Sequence, residues 1–488
     1  MIKKTYIEWI VFFCLMTCIL IPFCSASEKA DKIENFMRLC LEYRLFEGTV
    51  LVSENGKVIY HKAFGLANRE WDAPNTRESK YVIGSVSKQF TAMLILQLVE
   101  EKKLELNGKI SDYLPDFPND KGDAVTLHHL LCHSSGIPNN QYFKNWHTEL
   151  WQREYTTKEL VELFYPLDLE FTPGSRFSYS NTGYYILAAI IEQVTAKKFE
   201  AVLQEKLLKP LQMEDSGILD SFNILPHLAT GYMYWNFRYS KPPYCNPSSS
   251  KGAGSFYSTA DDMWKWEKAL HRRTVVSEKY QKKMFESHIP LRGGAHYGYG
   301  VVLREEYITG LDGPIKSVEH TGNQPGFSCL FLRIPEDNHC IIVLSNIDHI
   351  DLRHIRGGLL NILYGMEAKV KKPISLVLSE CRHLDSVSKE IEDFQKNKGK
   401  YTIRRDAVNG LGFQFINNKK SEMGLAVLEF NAQEHPRSPW VYESLSEAYS
   451  MTGDDEKAIA NLEKLLELDP ENAYAKTKLK ELIGKTAR

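Results

Sequence analysis

Gly84-Ser85-Val86-Ser87-Lys88, followed by the run from Gln89 to Val99, is the stretch that decides how this chain is read. Apolar residues at Phe90, Met93, Leu94, Leu96, Leu98 and Val99 predict a helix from Ser85 to about Lys102. At a helix start three residues make one turn, so Lys88 stands beside the Ser85 hydroxyl. The positive end of the helix favours an alkoxide developing there. Ser85 is therefore the expected nucleophile and Lys88 its activator. The four-residue pattern is not unique. It recurs at Ser248–Lys251 and at Ser386–Lys389, the latter again reading Ser-Val-Ser-Lys. Ser248 falls in a Pro-Ser loop and Ser386 in a charged stretch, and neither opens a long apolar helix.

Two further groups complete a candidate site. Tyr179-Ser180-Asn181 follows the turn Phe171-Thr172-Pro173-Gly174 and precedes an apolar helix. A tyrosine whose pKa is lowered by a cationic lysine can shuttle protons, which is the role expected of Tyr179. Asn181 is placed to hold Lys88 and to bind a substrate amide. Tyr234-Trp235-Asn236 and Tyr244-Cys245-Asn246 match the pattern without that setting. His320-Thr321-Gly322 is expected just before a strand, with Gly322 allowing close backbone approach. Thr321 and His320 would grip a substrate carboxylate. His296-Tyr297-Gly298 competes, but no turn like Asn323-Gln324-Pro325-Gly326-Phe327 follows it.

Around these motifs the pattern alternates between strand and helix. Gly48–Val52 and Val58–Tyr60 flank Asn55-Gly56, a strong hairpin signal because a type I′ turn needs positive φ at both positions. Residues 105–275 read as mainly helical and loop-rich. Strands return at 300–303, 326–333 and 339–345, and Asp351 to Tyr364 reads as a closing helix. Strands at both ends with helices between predict an α+β fold, with an antiparallel sheet covered by helices beside an all-helical lobe. A cleft between the two is the natural substrate site.

The chain has 488 residues, 43% of them hydrophobic and 25% charged, enough for two or three domains. A formal charge of −2 provides no basic field for nucleic acid. Lys3 and Lys4, an apolar run from Ile10 to Phe23 and then Cys24-Ser25-Ala26-Ser27 describe a secretory signal over residues 1–27. The chain is thus expected to be exported, periplasmic or secreted. An uncleaved segment would anchor it to a membrane. The nine cysteines show no zinc spacing, and six lie beyond the signal.

The domain carrying the candidate site is expected over residues 28–370 and a polar, charged linker over 371–400. Residues 401–488 then carry a 34-residue period. Leu445, Tyr449, Gly453, Ala458 and Pro470 occupy helix-pair positions of a tetratricopeptide repeat. Leu411, Gly412, Phe415 and Pro436 stand one period earlier, and 473–484 would form a capping helix. Such an all-α tail offers a groove for a protein partner.

Taken in order, Ser85-x-x-Lys88, Tyr179-x-Asn181 and His320-Thr321-Gly322 resemble the motifs of the serine β-lactamase and penicillin-recognising superfamily. The likeness is closest to its class C β-lactamase-related branch of carboxypeptidases and esterases. The stretches Leu130–Gly136, Phe171–Gly174 and Gly252–Asp262 are similar to that branch as well. The resemblance covers about residues 30–366. It implies a two-lobed fold, an acyl-enzyme on Ser85 and an oxyanion hole made by the backbone N–H groups of Ser85 and Asn323. A small molecule or peptide would be the substrate, with neither metal nor organic cofactor. Class C β-lactamases usually carry lysine where this chain has His320. That departure favours a D-peptidase or esterase over a β-lactamase. A non-enzymatic penicillin-binding scaffold is the remaining alternative.

Overall fold

The computed structural model describes residues 26–486 apart from 236, 237, 309 and 349. The expected signal segment therefore lies, except for Ala26 and Ser27, outside the described residues. In chain order the main elements are α1 (Ala26–Glu42), β1 (Gly48–Glu54), β2 (Lys57–Phe64), α2 (Lys88–Glu100), α3 (Asn181–Thr195), α4 (Ala260–Arg272) and the short β3 (Ile289–Pro290) and β4 (His296–Tyr297). They continue with β5 (Val302–Glu306), β6 (Ile315–Gln324), β7 (Phe327–Ile334), β8 (His339–Ser345) and α5 (Leu352–Leu363). The strands form one antiparallel sheet in the order β3-β4-β5-β6-β7-β8-β1-β2. The first hairpin turns as its sequence requires, with φ of 50° at Asn55 and 73° at Gly56.

Alternation along the central strands sends side chains to both faces of the sheet. Val50 and Val52 of β1, with Leu330 and Leu332 of β7, pack beneath Ile33, Phe36 and Met37 of α1 and Ile355 and Leu359 of α5. Leu51, Phe331, Ile342 and Leu344 face the other way, into the large core around α2, α3 and α4. This is the expected α+β arrangement. Helix α2 runs through that core, and from Lys88 to Val99 only Gln97 escapes full burial. That explains its apolar residues on every side, because a helix enclosed all round needs no polar face.

Two local expectations change. The α-helix begins at Lys88, and Gly84–Ser87 form a 3-10 turn ahead of it. Gly84 has φ of 54°, and the Ser87 hydroxyl donates to Gly84 O at 2.5 Å, which closes the tighter turn. Second, His320-Thr321-Gly322 lies within the ten-residue strand β6 rather than before a strand. Polar residues such as Glu319 and His320 hide it from a search for apolar runs, although their side chains are buried.

The stretch expected as a linker is folded. It holds α6 (Ile374–Ser379) and α7 (Leu384–Lys396). Val387 and Phe394 are spaced to share one helix face, and with Ile374 and Leu378 they pack against Val408, Leu411 and Phe430 further along. Their apolar stripe is masked in sequence by the surrounding charge. Beyond it come α8 (Arg405–Asn417), α9 (Ser421–Glu434), α10 (Pro439–Thr452), α11 (Asp455–Leu468) and α12 (Ala473–Thr486). The starts of α8, α10 and α12 are 34 residues apart, as are those of α9 and α11. The six cysteines among the described residues are unpaired. No described helix is long and apolar enough to cross a membrane.

Candidate active site

Lys88 is fully buried, and its Nζ has three oxygen neighbours: Ser85 Oγ at 3.1 Å, Asn181 Oδ1 at 2.8 Å and Ala253 O at 2.8 Å. As an ammonium it satisfies all three donors. As a neutral amine it can keep its two protons on Asn181 and Ala253 and turn its lone pair to Ser85. The geometry therefore suits both protonation states of a base. Burial pushes the Lys88 pKa well below the usual lysine value. The Tyr179 and Tyr184 rings, 4.9 and 5.3 Å from Nζ, partly oppose this by favouring the cation.

Each partner is fixed by its own element. Asn181 opens α3, where Ser180 caps the helix by accepting the Gly183 N–H and the Asn181 N–H donates to Asn139 Oδ1. Ala253 sits in a loop tied to α2 through Thr91 Oγ1, which donates to Gly252 O at 2.7 Å. The Tyr179 hydroxyl is in hydrogen-bond reach of the Ser85 side chain, and burial raises its pKa rather than lowering it. That corrects the expectation of an acidified tyrosine. Its ring is only partly exposed, between His133 and His320.

Strand β6 lies directly against the turn that carries Ser85. A Cβ on Gly322 would sit 1.9 Å from Ile83 O, and one on Gly84 would sit 2.7 Å from Asn323 N. Both positions must be glycine for the backbones to meet. The hairpin Gln324-Pro325-Gly326-Phe327 sets the alternation of the β6–β7 ladder, and Asn323 opposite Ser328 falls at a non-hydrogen-bonded pair. Its N–H therefore points away from β7. Pairing with β5 ends at Glu319, so this N–H faces the Ser85 turn and not another strand. The Ser85 N–H belongs to a helical first turn, where N–H groups lack helical partners. Both donors thus lie where the two backbone segments meet at the Ser85 turn.

A cleft of about 540 Å³ opens over them, lined by Ser85, Asn181 and Asn323 together with Asn140, Trp146, Trp151, Tyr185 and Gln324.

The β-lactamase family model matches this chain over residues 30–361. The chain belongs to the β-lactamase family. Penicillin-binding protein 4* of Bacillus subtilis (strain 168) is 29% identical over 338 residues, which cover 66% of this chain and 72% of that protein. The octameric penicillin-binding protein homologue of Pyrococcus abyssi is 30% identical, covers 72% of this chain and 82% of its own, and superposes with a TM-score of 0.62. The D-amino acid amidase of Ochrobactrum anthropi shares the fold at 21% identity, with 70% and 99% coverage and a TM-score of 0.59. The chain is thus of the β-lactamase-fold serine hydrolase family.

Within this family frame, His320 is not placed as expected. It is 5% exposed, and both ring nitrogens are engaged: Nε2 with the Tyr297 hydroxyl at 2.9 Å and Nδ1 with Thr321 O at 2.6 Å. Burial and the nearby Lys88 hold its pKa down to about 3, so it is neutral at physiological pH. Thr321 projects from the opposite face of the strand. There it is exposed beside Arg304 and Arg353 in a separate cavity of about 640 Å³. A joint grip on one carboxylate by both side chains is not what this geometry offers.

Two residues that sequence reasoning did not assign also belong here. His133, in the Leu130–Gly136 stretch, packs at a tilt against Tyr179 with ring centroids 4.3 Å apart. Tyr297 comes from the discarded His296-Tyr297-Gly298 match and touches both His133 and His320. The other matches are bound elsewhere: Ser248 Oγ donates to Asn246 and Lys251 pairs with Glu200. Among the described residues, no cluster of histidine, cysteine and carboxylate groups could hold a metal ion.

Proposed function

We propose that this protein is an exported serine acyl hydrolase that forms an acyl-enzyme on Ser85, acting on D-amino-acid peptides or amides or on esters. The observation carrying this is the Lys88 Nζ–Ser85 Oγ contact of 3.1 Å, with the other two N–H directions of a buried amine already occupied. In this reading neutral Lys88 takes the Ser85 proton as Oγ attacks the carbonyl carbon. The resulting oxyanion is stabilised by the Ser85 and Asn323 N–H groups, each donor worth a few kcal/mol in such sites, about 3–4. Tyr179, kept protonated by burial, hands its proton to the leaving amine or alcohol and regains one from Lys88. Water then releases the acyl group by the reverse sequence. Asn181 holds Lys88 and turns its amide towards the substrate. A neutral, already bonded His320 adds no cation for a substrate carboxylate, which supports esters, amides and peptides held without one over antibiotic hydrolysis.

The test is covalent labelling with a fluorophosphonate and a fluorescent penicillin, followed by turnover of p-nitrophenyl esters, D-Ala-D-Ala peptides and nitrocefin. Label lost in Ser85→Ala, with esters or D-peptides turned over faster than nitrocefin, is expected. No Ser85-dependent label with either probe would leave only the scaffold reading, and nitrocefin as the best substrate would make it a β-lactamase. For residues 401–488 we read tetratricopeptide-like repeats that dock a protein, supported by the 34-residue spacing of the helix starts. Truncation after Val370 is expected to leave Ser85 labelling intact. Loss of labelling would tie these helices to the active site instead.

A further inference from the structure

His133, Tyr297 and His320 form a continuous hydrogen-bond chain behind the reacting groups, and its polarity is fixed from both ends. The Ser180 N–H donates to His133 Nδ1 at 3.2 Å, so in the neutral ring that nitrogen carries no proton and Nε2 does. Nε2–H then donates to the Tyr297 hydroxyl at 3.0 Å. At the far end His320 Nδ1 lies 2.6 Å from Thr321 O, which can only accept, so Nδ1 carries the proton. His320 Nε2 is left as an acceptor, and the Tyr297 hydroxyl donates to it at 2.9 Å. Both histidines are neutral in this arrangement, and the Tyr184 hydroxyl, which itself donates to Leu131 O, is the other acceptor in reach of Tyr297.

Neutrality agrees with the surroundings. The groups facing the chain are Lys88, Tyr179, Tyr184 and the Cys132 thiol, none of them a carboxylate. Burial and Lys88 oppose protonation of either ring. The same two histidines flank the Tyr179 ring, with centroids 4.3 Å from His133 and 6.3 Å from His320.

We infer that His133 and Tyr297 are positioning residues for acyl transfer: they hold His320 as the neutral Nδ1–H imidazole and clamp the Tyr179 ring so that its hydroxyl faces Ser85. This rests on Ser85 being the nucleophile. Without the Tyr297 hydroxyl, His320 Nε2 has no donor, and the ring is free to turn or to take up a proton beside Lys88. The sequence offered no sign of the link, because its three members belong to separate motifs and one of those had been set aside.

Two measurements test it. In full-length protein carrying 15N-histidine, NMR should show His320 neutral at pH 7 with its proton on Nδ1, and His133 with its proton on Nε2, the signals assigned by their loss in His320→Asn and His133→Asn. A doubly protonated His320, or its Nε2–H tautomer, would overturn the inference whether or not any substrate is known. For kinetics, Tyr297→Phe keeps the packed ring and removes only the hydroxyl. It is expected to lower kcat about tenfold with KM within about twofold, and to cost less than about twofold in a His320→Asn background. An equal loss in both backgrounds would reduce Tyr297 to a structural residue. His133→Asn tolerates the φ of 60° at this position and keeps an acceptor for Ser180, but loses the donor to Tyr297. It should fall with Tyr297→Phe, and wild-type kcat in this variant would break the chain at its first link. If the wild type labels at no serine, the assignment of Ser85 fails while the NMR result still stands or falls by itself.

Discussion

The chain contains Ser-Val-Ser-Lys twice, at Ser85–Lys88 and at Ser386–Lys389, each at the start of a helix. In the first copy the lysine is buried beneath two tyrosine rings and its amine meets the serine hydroxyl. In the second, Ser386 donates to His383 O at 2.5 Å as part of a helix cap, and Lys389 is exposed. Four identical residues thus give a candidate catalytic pair and an ordinary helix start. What separates them is the surroundings of the lysine. Enclosure lowers the affinity of Lys88 for its proton and aims it, whereas Lys389 projects into solvent away from any such enclosure.

That contrast can be broken by substitution, beginning with its largest consequence. Ser85→Ala should abolish covalent labelling and turnover, while Ser386→Ala leaves both unchanged; a comparable loss at Ser386 would reverse the assignment. Lys88→Met should cost about a thousandfold in kcat/KM, within the range of a lost general base. Met matches the volume and removes the cost of enclosing an ionisable amine, but it leaves Asn181 Oδ1 and Ala253 O without their donor, so Tm should change little. A fall in Tm alongside lost activity would recast Lys88 as structural. Gly322→Ala forces β6 and the Ser85 turn apart, and a misplacement of roughly 1 Å is expected to lower kcat/KM by about a hundredfold. Retained activity would show that the two backbones can separate freely.

The pH dependence sharpens the same comparison. Burial puts the folded-state pKa of Lys88 below its unfolded value. Between the two the unfolded chain holds more protons, so stability rises with pH there, and below the folded pKa the full cost of burying the cation is present. Activity should rise with pH through the same ionisation, and Lys88→Met should flatten that stability slope. His320, protonated only near pH 3, contributes no limb around 6.5. A limb there that vanishes in His320→Asn would contradict its neutral state. The smallest effect belongs to the second copy: Lys389→Ala should change stability by no more than about 0.5 kcal/mol.

Much was legible locally. Asn55-Gly56 specified its turn, β8 fell where its apolar run lies, and Asp351 caps the closing helix by accepting the His354 N–H. Ser85, Lys88 and Asn181 come together as their motifs suggested. The strand bearing His320 was placed too late, because burial of polar side chains does not show in an apolar pattern. Residues 371–400 read as a linker because charge outnumbers the few apolar residues that pack.

By itself, then, the sequence determined the helix that starts at the Ser85 turn, the hairpins, the α+β class and the family motifs, since each depends on neighbours a few residues apart. Only the tertiary structure decided which Ser-Val-Ser-Lys has an enclosed lysine, that Tyr179 keeps its proton, that His320 is neutral, and that His133 and Tyr297 stand behind it. Proton affinity depends on solvent exclusion and on groups brought together from distant parts of the chain, and neither is a local property.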